Sequence, residues 1–279
     1  MSQPKLTVKN LQISFTNDEK TVHAVRDVSF TLGQEKLAIV GESGSGKSTV
    51  GRSLLKLHPR SASITADTLS FDGINLLTAN EKQMRTIRGR RISMIMQDPK
   101  YSLNPVMKVG DQIAEAYLAH RKVTKAEAKE RTIEMFNKVH IRDPERVYHL
   151  YPHEISGGMG QRVMIAMMLI PEPEIIIADE PTSALDVSVQ RQVLAVLDEL
   201  VNEHNLGLIF ISHDLDLVRQ YCDRVLVMYA GRVVEAIDAA NLDQAQHPYT
   251  QGLLAAAPRI GDKQAMLPTL TRDPSWLNA

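Results

Sequence analysis

The run Gly41-Glu42-Ser43-Gly44-Ser45-Gly46-Lys47-Ser48 constrains this chain more than any other stretch. It follows the apolar segment KLAIV, which ends at Val40, and precedes TVGRSLLKL, whose residues Val50, Leu54, Leu55 and Leu57 recur at helical spacing. A strand, a glycine-rich loop and a helix therefore follow one another, which is the context that the pattern GxxxxGK[ST] needs. The glycines let the backbone wrap until successive N–H groups point at one centre, and the helix that opens at Lys47, Ser48 and Thr49 adds positive potential there. Lys47 offers a point charge to the β- and γ-phosphates of a nucleotide, and the Ser48 hydroxyl can ligate Mg²⁺. Alone, such a loop suits kinases, GTPases and ATPases equally.

A second apolar strand narrows the choice. In IIIADEP the residues Asp179 and Glu180 follow four apolar positions, so a buried strand delivers two carboxylates to the strand ends where α/β sheets bind ligands. The two can divide labour: Asp179 holds Mg²⁺ through water, and Glu180 polarises the attacking water as general base. Two more polar residues end apolar strands, Gln97 after ISMIM and His213 after LIFIS. Both are candidate sensors of the γ-phosphate and its water, and Gln97 is counted with Ser48 and Asp179 among the Mg²⁺ ligands. The pair Asp179–Glu180 and the loop together read as an ATPase.

The rest of the pattern is a mostly parallel α/β sheet. Short strands are expected at LTVKNLQISF and AVRDVSFTL, then KLAIV, TLSFDG, RISMIM, IIIAD, LGLIFIS and RVLVMY, with helices at Val187–Glu203 and Leu215–Tyr221. Between Pro105 and about Leu169 the spacing turns helical, with Thr124 and Glu127 placed as a capping box. The net charge of −1 supplies no global basic field for nucleic acid. One cysteine, Cys222, excludes a disulfide framework and reads as a small buried residue in a reducing cytosol. The apolar runs stop far short of a membrane span, and MSQPKLTVKN has no secretory signal pattern, so a cytoplasmic location is expected. Arg85, Arg88, Arg90 and Arg91 read as a solvated helix face, and Met94, Met96, Met164, Met167 and Met168 as core filling.

Ile155-Ser156-Gly157-Gly158-Met159-Gly160-Gln161-Arg162 opens an almost wholly apolar helix, and Ser-Gly-Gly at a helix start is an anion site. With the phosphate loop, Gln97, Asp179–Glu180, Ser183-Ala184-Leu185-Asp186 and His213, this element resembles the motif series of ATP-binding-cassette (ABC) ATPases over roughly residues 5–240. The resemblance implies a P-loop NTPase (RecA-like) fold with N-terminal antiparallel strands and a helical insertion, binding ATP and Mg²⁺. It also implies a head-to-tail dimer in which ATP on one subunit's loop is covered by Ser156, Gly157 and Gly158 of the other, and it counts Asp186 among the nucleotide-binding residues. Phe15 resembles the aromatic on which the family stacks adenine. Ile155 and Met159 stand where the signature usually has Leu and Gln, a change that spares the hydroxyl and the backbone donors.

Gln97-Asp98-Pro99-Lys100-Tyr101-Ser102-Leu103-Asn104-Pro105 and His247-Pro248-Tyr249-Thr250 look like the oligopeptide, dipeptide and nickel importer ATPases. That likeness implies a peripheral subunit on the cytoplasmic face of the inner membrane. Its partners would be a second ABC ATPase, more readily a sister chain than itself, two transmembrane permeases and, indirectly, a solute-binding protein. The expected layout is a cassette over 1–240, with a helical subdomain at about 98–170 and a short tail over 241–279. The competing reading is a soluble ABC ATPase that works as a mechanical or assembly factor.

Overall fold

Strand β1 (Leu6–Thr16) buries Leu6 and Val8, then Leu11 and Ile13, so its inward side switches phase between Val8 and Leu11. A register irregularity there, with Asn10 at φ 51°, takes up the odd residue as a bulge. The computed structural model describes residues 4–17, 20–97, 102–256, 273 and 276. It divides into two units, Met1–Asn80 with Ile209–Ala279, and Glu81–Leu208. Asp98, Pro99, Lys100 and Tyr101 of the importer-like string, and the tail prolines 258, 268 and 274, lie outside the described residues.

The first unit begins with β1, β2 (Thr21–Leu32), β3 (Lys36–Val40), α1 (Lys47–Leu54), β4 (Ala62–Thr65), β5 (Thr68–Phe71) and β6 (Ile74–Asn75). The second holds α2 (Glu81–Ile87), β7 (Ile92–Ile95), α3 (Val109–Leu118), α4 (Lys125–Lys138), α5 (Pro144–Tyr148), α6 (Gly157–Leu169), β8 (Ile175–Asp179) and α7 (Val187–Glu203). Through β9 (Gly207–Ser212) the chain returns to the first unit, which ends with α8 (Leu215–Tyr221), β10 (Arg224–Tyr229), β11 (Arg232–Asp238) and α9 (Pro248–Ala256).

In the first unit an antiparallel sheet runs β2-β1-β5-β6, with β4 also pairing β1. A second sheet places β3 between β10 and β9, with β11 beyond β10. β3 is parallel to β10, and Leu37, Ala38, Ile39 and Val40 are all fully buried, the continuous apolar run that a strand covered on both faces requires. In the second unit β7 and β8 pair in parallel, Met94 opposite Ile177. Helix α6 is apolar around most of its circumference, which suits a helix packed against α3, α7 and β7 at once.

The capping box at α4 forms as expected: Glu127 N–H donates to Thr124 Oγ1 at 3.2 Å, and Thr124 N–H donates to Glu127 Oε2 at 2.7 Å. Three minor expectations change. The arginine run straddles the end of α2 and the start of β7, so only Arg85 lies on a solvated helix face, while Arg88 pairs with Glu81 and Arg91 with Glu174. Met96 is exposed because β7 has ended at Ile95, whereas Met94 and Met164 are buried. Cys222 is only half-buried, at the C-cap of a helix whose apolar face has already been used by Leu215, Leu217 and Val218.

Candidate active site

In the first unit, buried β3 runs directly into the glycine-rich loop. Ser45 N–H donates to Glu42 O at 3.2 Å, closing a turn, and Val50 N–H donates to Gly46 O at 3.0 Å, starting α1. Gly46 is the N-cap at φ 101°, and a Cβ there would run into the Ala24 carbonyl oxygen. Gly41 is equally confined, because its Cβ would meet the Met228 carbonyl oxygen. Space and backbone angle therefore both demand glycine, and the loop passes close over neighbouring backbone. Lys47 is only 5% exposed, with Nζ donating to Gly41 O and Glu42 O, each at 2.8 Å. The cation is thus folded over the loop that carries the N–H groups of Ser43, Gly44 and Gly46, a set that fits an anionic phosphate chain. Ser48 and Thr49 are half-exposed in the first turn of α1.

His213 is exposed in the turn that ends β9. The turn is rigid: Asp214 N–H donates to Ser212 Oγ at 3.0 Å, and the Asp214 carboxylate caps α8 by accepting from Asp216 and Leu217 N–H at 3.0 and 3.1 Å. Phe15, half-buried in β1, meets the His58 ring edge-on at 5.6 Å between centroids. His58 Nε2–H donates to Thr49 O at 3.0 Å, so the partner of Phe15 is tied to the helix that Lys47 opens. Burial holds the His58 pKa below its ordinary value of 6.5.

In the second unit, every residue of β8 is buried, and Asp179 at its end is 3% exposed. Glu180 follows in the left-handed region at φ 47°, an orientation that turns its side chain off the strand direction. Gln97 is exposed just past β7, and its Nε2 donates to Glu180 Oε2 at 3.3 Å. The two sequence motifs that end in Gln97 and Glu180 therefore meet. Among the described residues no group of three or more His, Cys, Asp or Glu is placed to hold a metal. The Ser48 hydroxyl, in the first turn of α1, is a single oxygen of the kind that can join phosphate oxygens around Mg²⁺ in nucleotide sites.

Ser156 is the N-cap of α6 and accepts from Met159 N–H at 3.3 Å. Gly158 lets α6 approach α7, since a Cβ there would stand 2.5 Å from Val189 Cγ1. Asp186 caps α7, accepting from Ser188 and Val189 N–H at 3.1 Å each and from Ser188 Oγ at 2.8 Å. The Ser188 hydroxyl, followed by the Val189 N–H, holds the Asp186 carboxyl below its ordinary pKa. Ser156, Gly157, Gly158 and Asp186 line one open cavity of about 860 Å³, with Arg162 and Glu199 on its wall.

Two contacts escaped the motif reading. Gln161, 1% exposed, donates its side-chain N–H to the Pro181 carbonyl, tying α6 to the turn after Glu180. A glutamine near the start of a helix that is wholly apolar after Arg162 was the available signal. Tyr249, quoted only as part of a tail motif, accepts from the Glu42 N–H of the phosphate loop at 2.9 Å. Nothing local in the sequence announces that contact.

Known proteins resemble this chain in sequence and in fold. The family described as ABC transporter matches residues 25–183. The dipeptide transport ATP-binding protein DppD of Bacillus subtilis is 48% identical over 258 residues, covering 91% of this chain and 77% of that protein. The oligopeptide transport ATP-binding protein OppD of Salmonella typhimurium is 45% identical over 271 residues, covering 96% and 81%. Among solved structures, cbiO1 of Clostridium perfringens, part of the ABC transporter complex cbiONQ, matches with TM-score 0.72 at 27% identity over 87% of this chain and 92% of its own. A dimeric ATP-binding cassette in a post-hydrolysis state with ADP and Pi matches with TM-score 0.72 at 24% identity over 84% and 98%, a likeness of fold. The expected α/β P-loop NTPase cassette fold is the one observed, and the chain belongs to the ABC transporter family as an ATP-binding, ATP-hydrolysing subunit.

Proposed function

We propose that this chain works at the cytoplasmic face of a membrane, hydrolysing ATP to drive import of oligopeptides, dipeptides or similar small solutes through partner permeases. The observation that carries the reading is 45–48% identity, over 91–96% of the chain, to proteins named for dipeptide and oligopeptide transport. No described helix is long and apolar enough to cross a membrane, and the proposal assigns passage of the solute to partner chains. Two permeases, a sister ATPase and a solute-binding protein complete the proposed assembly. The cassette occupies 1–240 with a helical subdomain at about 98–170, a division supported by the clustering of α3 to α6 in that range.

The proposed residue roles join the chemistry of the loop and strand ends to what the ABC resemblance implies for Phe15 and the Ser156-Gly157-Gly158 element. The N–H groups and lysine of the 41–48 loop hold the ATP phosphates, while Phe15 offers a face to adenine. Ser48, Gln97 and, through water, Asp179 hold Mg²⁺, which when bound neutralises phosphate charge. Glu180 accepts a proton from the attacking water as its oxygen bonds the γ-phosphorus and the bond to the bridging oxygen breaks, giving ADP and phosphate. Gln97 and His213 sense the γ-phosphate. Ser156, Gly157 and Gly158 cover the ATP held by the other cassette of the dimer, and Asp186 is a further nucleotide-binding residue.

The test is reconstitution in vesicles with two permeases, the sister ATPase and a binding protein. Phosphate release should rise when peptide-loaded binding protein is added. Release indifferent to peptide, together with sedimentation in a soluble complex, contradicts the transport reading and favours an assembly factor.

A further inference from the structure

The motif His247-Pro248-Tyr249-Thr250 has no part in the scheme above, yet it reaches the phosphate loop from behind. Tyr249 is fully buried, and its hydroxyl accepts the Glu42 N–H at 2.9 Å. Glu42 is the second residue of the loop, upstream of the N–H groups of Ser43 to Gly46 and of Lys47. The same loop is gripped at two other points: Gly231 N–H donates to Ser45 O at 3.0 Å, and Gly41 lies against the Met228 carbonyl. Met228 and Tyr229 end β10 and Gly231 lies in the turn to β11, and the Tyr229 ring packs on the Tyr249 ring at 4.6 Å between centroids.

The motif is in turn bolted to that hairpin. The Glu235 carboxylate of β11 accepts from Gln246 N–H at 2.7 Å and from His247 N–H at 3.4 Å, and His247 Nδ1 accepts from Tyr249 N–H at 3.1 Å. Trp276, the chain's one tryptophan, closes the cluster, with its ring centroid 5.8 Å from Tyr249 and 5.6 Å from Tyr229. Loop, hairpin and tail thus form one continuous set of contacts.

We propose that Tyr249 is a positioning residue for the phosphate loop, so that seating of the C-terminal tail and nucleotide affinity are linked, with Trp276 as the built-in reporter. The inference rests on the proposal that the 41–48 loop binds ATP. A hydroxyl that takes up the Glu42 N–H fixes where the loop begins and therefore where its later N–H groups point. Binding that requires this loop shape favours the seated tail, and by linkage the seated tail favours binding.

The test uses the full chain with ATP and Mg²⁺, reading affinity by equilibrium dialysis with labelled ATP and Trp276 emission in parallel. Tyr249→Phe keeps the ring and deletes the hydroxyl that accepts the Glu42 N–H. It should weaken ATP binding about three- to tenfold, the scale of one net hydrogen bond, and blunt the emission change that ATP causes in the parent. Thr250→Val is the control: its Oγ1 is buried without a hydrogen-bond partner, so this variant should bind ATP like the parent and be no less stable. Glu235→Ala, which removes the acceptor for Gln246 and His247 N–H, should loosen the tail and weaken ATP in the same direction, which keeps the proposal testable if Tyr249→Phe folds poorly. Parental affinity in both Tyr249→Phe and Glu235→Ala, or Trp276 emission blind to saturating ATP, overturns the linkage while leaving the loop as a nucleotide site. Failure of the parent itself to bind ATP removes the loop reading and this one with it.

Discussion

Replacing Lys47 by Ala removes a cation that is 5% exposed and that donates to Gly41 O and Glu42 O at 2.8 Å each. Two separable losses follow. In the free chain, two loop carbonyls lose their donor, worth about 1–3 kcal/mol of stability in total, so the melting temperature should fall by several degrees. In the complex, the β- and γ-phosphates lose a charge-assisted contact at a position shielded from water, worth about 2–4 kcal/mol, which corresponds to roughly a 30- to 1000-fold weaker Kd. Titration calorimetry of the isolated chain with ATP and Mg²⁺ reads the second loss, and thermal melts without nucleotide read the first. Lys47→Arg should recover only part of the affinity, because a planar guanidinium cannot replace the compact ammonium inside the loop. An Ala variant with affinity within about threefold of the parent refutes the assignment of Lys47 to the phosphates.

Other consequences are checked as simply. Ser156→Arg should cost about 1 kcal/mol through the lost cap on Met159 N–H, leave ATP binding to the isolated chain intact and abolish turnover in the assembled complex; parallel loss of binding and turnover in the isolated chain contradicts the covering role. Because burial keeps His58 below its ordinary pKa of 6.5, the unfolded chain takes up the proton first, so stability declines as pH falls through that value. His58→Gln should flatten the drop in melting temperature between about pH 7.5 and about pH 5.5, and an equal drop in both proteins contradicts this cause.

Much of this arrangement was legible because the chemistry is local. The strands Lys36–Val40, Ile175–Asp179 and Arg224–Tyr229 and the helices Val187–Glu203 and Leu215–Tyr221 lie where apolar runs and caps place them. β11 was not legible, since RVVEAID is half-exposed throughout most of its length and its pairing with β10 is what makes it a strand. β4 likewise has no apolar run and is held by register against Gln12 to Phe15. At the site, loop and strand-end residues announce themselves by type and spacing. The backing by Tyr249 and the Gln161 link to Pro181 join segments 207 and 20 residues apart, and such contacts follow from packing rather than pattern.

The most direct test of ATP hydrolysis by the residues named is Glu180→Gln. Gln97 Nε2 donates to Glu180 Oε2 at 3.3 Å, and a glutamine at 180 retains an acceptor oxygen for it, so the local geometry should persist while the negative charge and proton acceptor are lost. Mg²⁺ and ATP should still bind, phosphate release should fall about 10²- to 10⁴-fold, and ATP-bound dimeric cassettes should accumulate after excess nucleotide is removed. A variant that releases phosphate at close to the parental rate and retains no ATP would contradict the account, because Glu180 would then not be the group that activates water.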